Sequence, residues 1–225
     1  LNVAEFPELE QLMLHKIYIL NNNFKRYFSN YDFHNLYKEL LNFCTVDLSS
    51  FYFDIRKDNL YCDPIDSKKR KSTILTLNII LNALLKWFAP ILSFTTEEIF
   101  RLLFKNQKSI HLEKFIEFPD KFKNVKLSEK WVELINIRNV CNISIEEKRA
   151  SKEIGSSLEA DLKIQLSQKL KELTENTDFS ELCITSKAEV TYKDDIETTA
   201  ITTKAKGSKC PVCWKINDGP CPRHS

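Results

Sequence analysis

Near the end of the chain, Cys210, Cys213, Cys221 and His224 form two pairs. Two residues separate the members of each pair, and a seven-residue loop separates the pairs. That spacing lets four side chains close around one tetrahedral ion. Thiolates and imidazole favour Zn²⁺, and four protein ligands leave no open position for a water. The pattern therefore predicts one structural zinc rather than a catalytic one. A ribbon this short cannot bury enough apolar surface to fold alone, so metal binding has to supply its folding free energy. The competing reading is a redox Cys-x-x-Cys pair. It leaves the third thiol and the histidine without a role, and no βαβ pattern surrounds the pair.

The length, 225 residues, suits one large domain or two to three small ones. A formal net charge of +2 gives no global basic field, so any nucleic-acid role has to rest on local patches. Three of the seven cysteines belong to the proposed metal site. Cys44, Cys62, Cys141 and Cys183 are scattered on apolar patterns, which predicts buried free thiols and a reducing cytosol. No segment approaches the ~18 apolar residues of a membrane span, and there is no signal peptide. The chain opens at Leu1 and runs straight into a helical pattern, as an excised piece of something longer would. Its only glycines are Gly155, Gly207 and Gly219, too few and too scattered for a phosphate-cradling loop.

Apolar spacing predicts a helix over 7–28, carried by Leu9, Leu12, Met13, Ile17, Leu20, Phe24 and Phe28. Pro7 suits its first turn. A second helix is expected over about 33–43, with Asp32 as N-cap and Phe33, Leu36, Tyr37, Leu40 and Leu41 on one stripe. A third covers about 46–59. After a loop at 63–67, a long helix runs to about Phe88 with Ile74, Leu77, Ile80, Leu81, Leu84, Leu85 and Phe88 as its apolar stripe. Pro90 interrupts. Thr95 and Glu98 then form a capping box for a fifth helix ending near Phe104. Residues 105–127 carry no helix signal, and Ile110–Leu112 suits a short strand. Another helix is expected over about 129–148, with Trp131, Leu134, Ile135, Arg138 and Cys141 along it. From Ser157 to Leu166 apolar and polar residues alternate, as in a half-buried strand. A short helix near 169–175, a strand near 182–192 and a third near 198–206 complete a small α/β unit. The expected fold is mainly α with a small α+β part. An antiparallel helical bundle fills 1–105, and a connector and junction helix 106–152. The α/β unit fills 153–206, and the zinc ribbon 207–225.

Four stretches carry a resemblance. Tyr31-Asp32-Phe33, with Asp47-Leu48-Ser49-Ser50-Phe51-Tyr52, is similar to a Y-x-F…DLS-x-x-Y stretch of an anticodon-binding bundle. Trp87 to Ile99, WFAPILSFTTEEI, is close to a segment shared by the synthetases for Ile, Val, Leu and Met. Arg149 to Ala160 matches R-x-x-K-x-I-G-S-S-L-E-A, and Gly207 to Trp214 resembles G-x-K-C-x-R-C-W. Together they cover nearly the whole chain, which resembles the C-terminal part of bacterial isoleucyl-tRNA synthetases. The family's zinc motif has four cysteines, a longer insert and an Arg between the first two. Here His224 stands in the last ligand position, and Val212 replaces the Arg. The ATP-handling HIGH and KMSKS signatures are missing, and the only methionine is Met13. The resemblance implies a cytoplasmic protein whose catalytic domain, on the same polypeptide, uses ATP to join isoleucine to its tRNA. This part would be inactive alone.

The resemblance also implies that bundle and ribbon grip the anticodon stem-loop of isoleucine tRNA. Unpaired loop bases are read by aromatic stacking, and phosphates by Arg and Lys. Arg70, within the run Lys68-Lys69-Arg70-Lys71, and Arg138, Arg149 and Lys152 suit phosphate contact; the alternatives are a solvated loop and surface ion pairs. Trp214 suits a base platform or the ribbon's small core, and Lys215 and Arg223 suit phosphate. Phe51, Tyr52 and Phe53 cannot all be buried on one helix face. His15, His34 and His111 stand alone and suit surface or satisfied core positions. The other functions weighed are a stand-alone zinc-containing RNA-binding module and a zinc-stabilised scaffold for protein contacts.

Overall fold

The computed structural model describes residues 2–105 and 108–224. The chain divides into two compact units, 1–128 and 129–225.

The first unit is helical. Helix α1 (Glu8–Ser29) starts from Pro7, whose missing N–H costs nothing at a helix start. Its first half is buried on several sides, with Leu9, Leu12, Met13, Leu14 and Ile17 all in the core. Helix α2 (Phe33–Asn42) is capped by the Asp32 carboxylate, which accepts from the Asn35 backbone N–H. The two helices expected over 33–43 and 46–59 are one continuous run. Residues Phe43–Phe53 are π-helical and lead directly into α3 (Asp54–Cys62). No Pro or Gly interrupts this run. Side-chain hydroxyls take up part of the loosened backbone: Thr45 donates to the Leu41 carbonyl and Ser50 to the Thr45 carbonyl.

Only Leu36 and Leu40 of the expected α2 stripe are buried; Phe33, Tyr37 and Leu41 are exposed. Of the aromatic triplet, Phe51 and Tyr52 are buried and Phe53 is the exposed member. Helix α4 (Lys68–Phe88) is capped by Ser67. Its buried seam runs through Thr73, Thr76, Ile80, Ala83 and Trp87, while Ile74 of the expected stripe is exposed. Small residues on that seam let α4 approach α1 closely, and Trp87 lies edge-on to Phe24 with ring centroids 4.9 Å apart.

Helix α5 (Ser93–Leu103) starts two residues before the expected Thr95 cap, and no side chain caps it. Thr95 therefore lies inside the helix, and the Thr95–Glu98 capping box does not form. The tight turn through Phe88–Leu92 restarts the helix at once, with the Leu92 N–H bonded to the Phe88 carbonyl. Ile110–Leu112 is a 3₁₀ turn, not a strand. Ser109 Oγ accepts from the His111 N–H and the Glu97 carboxylate from the Ile110 N–H, so the backbone is satisfied without a partner strand. A second 3₁₀ turn covers Asp120–Phe122. A buried carboxylate, Glu10, joins α1, the π segment, α3 and α4. It accepts from Arg56 Nε (2.6 Å) and Nη2 (2.7 Å), Tyr52 Oη (3.1 Å) and Thr73 Oγ1 (3.0 Å).

Helix α6 (Val125–Ala150) begins four residues earlier than expected, after Asn124 Oδ1 accepts from the Leu127 N–H. In the second unit it buries Trp131, Leu134, Ile137, Cys141 and Ile145. The sheet has strand order β2-β1-β3. β1 (Ala160–Ser167) is central, with Ala160, Leu162, Ile164 and Leu166 buried, as the alternation predicts. β2 (Lys187–Lys193) pairs with it in parallel and β3 (Thr199–Lys204) antiparallel. The β1–β2 crossover carries α7 (Lys171–Thr174) and α8 (Phe179–Leu182). A hairpin of β4 (Ser208–Lys209) and β5 (Ile216–Asn217) ends the chain. None of the seven cysteines forms a disulfide; Cys141 and Cys183 are buried, while Cys44 and Cys62 are only half-buried.

Candidate metal centre and nucleic-acid interface

The β4–β5 hairpin builds the cysteine cluster. Gly207 opens it at φ +119, and a Cβ there would lie 2.1 Å from the Asn217 carbonyl oxygen. Only glycine fits that close approach. The Cys210 N–H then donates to the Lys215 carbonyl and the Trp214 N–H to the Cys210 carbonyl. This tight turn puts Trp214 at φ +64, a left-handed conformation rare for so bulky a residue. Its effect is to turn both thiols inward. Cys221 and His224 arrive on the following turn, where the His224 N–H donates to the Cys221 carbonyl.

Four ligand atoms, one from each residue, all lie within 4.8 Å of one another, so these residues form a candidate metal-binding cluster. His224 Nδ1 is 3.5 Å from both Cys210 Sγ and Cys221 Sγ, and Cys213 Sγ is 3.8 Å from Cys221 Sγ. Backbone N–H groups point at the sulfurs. Those of Cys213 and Val212, with His224, hold the Cys210 thiol down at about 6. Burial pushes Cys213 up to about 11, opposed by the Lys215 N–H. At Cys221 burial pushes upward, but the Arg223 N–H and His224 outweigh it and hold the thiol below its ordinary value. Cys210 and Cys221 are thus held toward the thiolate form that a metal binds, while Cys213 is held toward the thiol. Ser186 Oγ fastens the ribbon to the sheet by donating to the Leu158 carbonyl and accepting from the Ile216 N–H at 2.6 Å.

The basic and aromatic residues singled out in the sequence fall into separate places. Trp214 is 58% exposed, and Lys209, which sequence reasoning missed, sits with Nζ 5.1 Å from its ring centroid. Lys215 and Arg223 are half-buried in the same ribbon. Exposed Arg149 and Lys152 line one shallow depression at the end of α6, with Glu146 and Gly155. Arg149 is paired there with Glu146 at 2.6 Å. Arg138 is half-buried and donates to the Leu182 carbonyl at 2.8 Å, which ties α6 to α8. Arg70, in the first unit, donates to the Asp63 carbonyl at 2.8 Å and fixes the α3–α4 loop. Arg70 and Arg138 thus each have a structural bond the sequence did not announce. The first unit also exposes Tyr31, Tyr61 and Phe94, none of them visible as a patch from spacing. Of the lone histidines, His34 and His111 are exposed. His15 is buried, with Nδ1 accepting from the Asn124 N–H at 3.0 Å.

Comparison with known proteins matches residues 10–166 to the anticodon-binding domain of tRNA ligase. The whole chain is 65% identical to part of the isoleucine–tRNA ligase of Pelagibacter ubique, spanning 25% of that protein. It is 38% identical over 96% of its length to the isoleucine–tRNA ligase of Bartonella henselae, spanning 23% of it. To that of Bradyrhizobium diazoefficiens it is 39% identical over 95% of its length. The chain thus spans about a quarter of the curated relatives it matches. No described helix is long and apolar enough to cross a membrane. With its helical unit and a match that runs from the first helix into the central strand, the chain belongs to the family of tRNA-ligase anticodon-binding domains.

Proposed function

We propose that this chain is the part of an isoleucine–tRNA ligase that grips the anticodon stem-loop of isoleucine tRNA, with one structural Zn²⁺ fastening its ribbon. The observation that carries the reading is identity along the entire chain to isoleucine–tRNA ligases, within a family of anticodon-binding domains. In the complete enzyme, a catalytic domain outside residues 1–225 would activate isoleucine with ATP and esterify it to the tRNA. The present residues would supply affinity and register.

The donor set favours zinc, and the cluster's dimensions fit it. A tetrahedral ion with Zn–S of about 2.3 Å and Zn–N of about 2.05 Å sets sulfurs roughly 3.8 Å apart and sulfur and nitrogen roughly 3.5 Å apart. The cluster has 3.8 Å between Cys213 and Cys221 and 3.5 Å from His224 to Cys210 and Cys221. Zinc would be held by Cys210, Cys213, Cys221 and His224 and would supply folding free energy to the ribbon. Four protein ligands close the site to water, so it does no chemistry on substrate.

Trp214 and Lys215 would meet an unpaired base and its phosphate, with Arg223 beside them. Arg149 and Lys152 would hold phosphate at the end of α6, and Arg70 at the start of α4 with Lys68, Lys69 and Lys71. Arg138, tied to the Leu182 carbonyl, would act by holding α8 in place.

The test titrates labelled isoleucine tRNA and unrelated tRNAs with this chain over a salt series, first zinc-loaded, then chelator-stripped. Tighter binding of isoleucine tRNA, weakened when zinc is stripped, is the expected result. Lys215→Ala or Arg223→Ala should each lower the salt slope by about one unit or less. Equal binding of all tRNAs, or of none, would remove recognition from this chain. Elemental analysis should give one zinc per chain, lost in Cys213→Ser.

A further inference from the structure

Asn35, Lys38 and Asn42 follow one another along α2 at steps of three and four, so they share one face of the helix. That face and Leu20 of α1 line a groove of about 500 Å³, completed by Thr45 and Asp47 of the π segment. The backbone opens from α to π geometry at Phe43, directly after Asn42. Such π geometry is rare and recurs at functional sites. The walls of the groove are already held in place. Asp47 pairs with Lys16 of α1 at 2.6 Å, and Glu39 accepts from Tyr27 Oη at 2.7 Å and from Asn23 Nδ2 at 3.3 Å. Asn35 donates to the Asp32 carboxylate, and Thr45 to the Leu41 carbonyl. The side chains of Lys38 and Asn42 are exposed and have no hydrogen-bond or ion-pair partner among the described residues.

A ligand here meets the groups that remain free. The Asn42 amide presents a donor and an acceptor side by side, the pattern that pairs bidentately with an adenine edge. Lys38, one turn away, offers a single cation, which matches one phosphate rather than a stretch of duplex backbone. Leu20 and Leu41 supply an apolar wall. The volume suits one nucleotide, since pockets for small ligands start at about 300 Å³. Unpaired bases of RNA loops are the ones read on their edges in this way. We propose that the groove takes one unpaired adenosine nucleotide, with Asn42 on the base edge and Lys38 on the phosphate. That the nucleotide belongs to an anticodon loop rests on the chain's proposed role in tRNA recognition.

The test titrates the 225-residue chain with the anticodon hairpin of isoleucine tRNA. Companion hairpins replace each loop adenine in turn by purine, which lacks the amino group. Asn42→Ala should weaken binding of the parent hairpin about tenfold, and for one loop position should leave the purine hairpin unaffected. Lys38→Gln should weaken all the hairpins alike and lower the salt slope by about one unit. Both residues are exposed, so each variant should melt within a few degrees of the parent. Selective hairpin binding that Asn42→Ala leaves unchanged would overturn the groove and leave recognition standing. Equal weakening of the parent and every purine hairpin would take base reading from Asn42 and overturn the proposal as well. If the chain binds no hairpin selectively, adenosine monophosphate alone decides, with the Asn42 side-chain amide followed by NMR. A shift at about tenfold lower concentration than with uridine monophosphate keeps the nucleotide site and removes the recognition role. No shift overturns both.

Discussion

Replacing Glu10 by alanine removes a carboxylate that faces the buried Arg56 guanidinium. Glu10 is fully buried and Arg56 is 3% exposed. The substitution takes from Arg56 two short bonds, of 2.6 and 2.7 Å. Tyr52 loses its acceptor, whereas Thr73 keeps the Lys69 carbonyl. Removing one partner of a buried pair costs about 3–5 kcal/mol, and the bond lost by the Tyr52 hydroxyl adds about 1 kcal/mol. A loss of about 5 kcal/mol is a large part of the roughly 5–15 kcal/mol that holds a domain together. For a unit of this size it lowers the melting point by about 15–25 °C. Trp87 is buried in the first unit, whereas Trp131 and Trp214 belong to the second. In a Trp131→Phe/Trp214→Phe background, fluorescence therefore follows the first unit alone. The companion Glu10→Leu/Arg56→Met removes both charges and should recover most of the loss, because apolar replacements of buried pairs are often neutral or stabilising. A loss under about 1 kcal/mol for Glu10→Ala, or a double variant worse than the sum of the singles, would refute the argument from a broken buried pair.

Gly207→Ala puts a Cβ 2.1 Å from the Asn217 carbonyl at φ +119, so the β4–β5 hairpin should open and metal affinity fall at least about tenfold. A competition titration with a coloured chelator checks this, and unchanged affinity would mean the hairpin does not set the ligand geometry. Burial, then Lys16 and Lys123, hold the buried His15 imidazole below its ordinary value of 6.5. The neutral ring accepts from the Asn124 N–H, so its contribution is complete above pH 6.5 and is lost as pH falls through the lower folded value. Chemical denaturation of the first unit between about pH 6.5 and 5 should therefore show a steeper stability loss in the parent than in His15→Gln. Parallel profiles would assign the acid sensitivity elsewhere.

Legibility in the sequence followed the range of the interactions. The candidate metal cluster was legible because its four residues sit in a fixed short spacing that a hairpin closes locally. β1 was legible because its alternation, Ala160, Leu162, Ile164 and Leu166, is a period of two that only one face of a strand satisfies. The Asp32 cap was legible because its donor, the Asn35 N–H, is three residues away. Spacing misjudged α2 and α4. Phe33, Tyr37 and Leu41 look like core by type and are exposed, whereas Thr73 and Thr76 look like surface and are fully buried. Which face turns inward depends on what the neighbouring helix offers, and α4 needed small residues against α1.

The sequence by itself determined the order and kind of most elements and the four residues of the candidate metal cluster. Helical and strand periods, caps, and the ligand spacing all act within a few residues. Only the tertiary structure decided the rest. It joined the two expected helices through a π segment. It brought Glu10 and Arg56 together from 46 residues apart. It spent Arg70 and Arg138 on backbone carbonyls and set Lys209 over Trp214. Those outcomes depend on close packing between distant segments, where a buried charge or an exposed ring has its cost set by neighbours that no local pattern names.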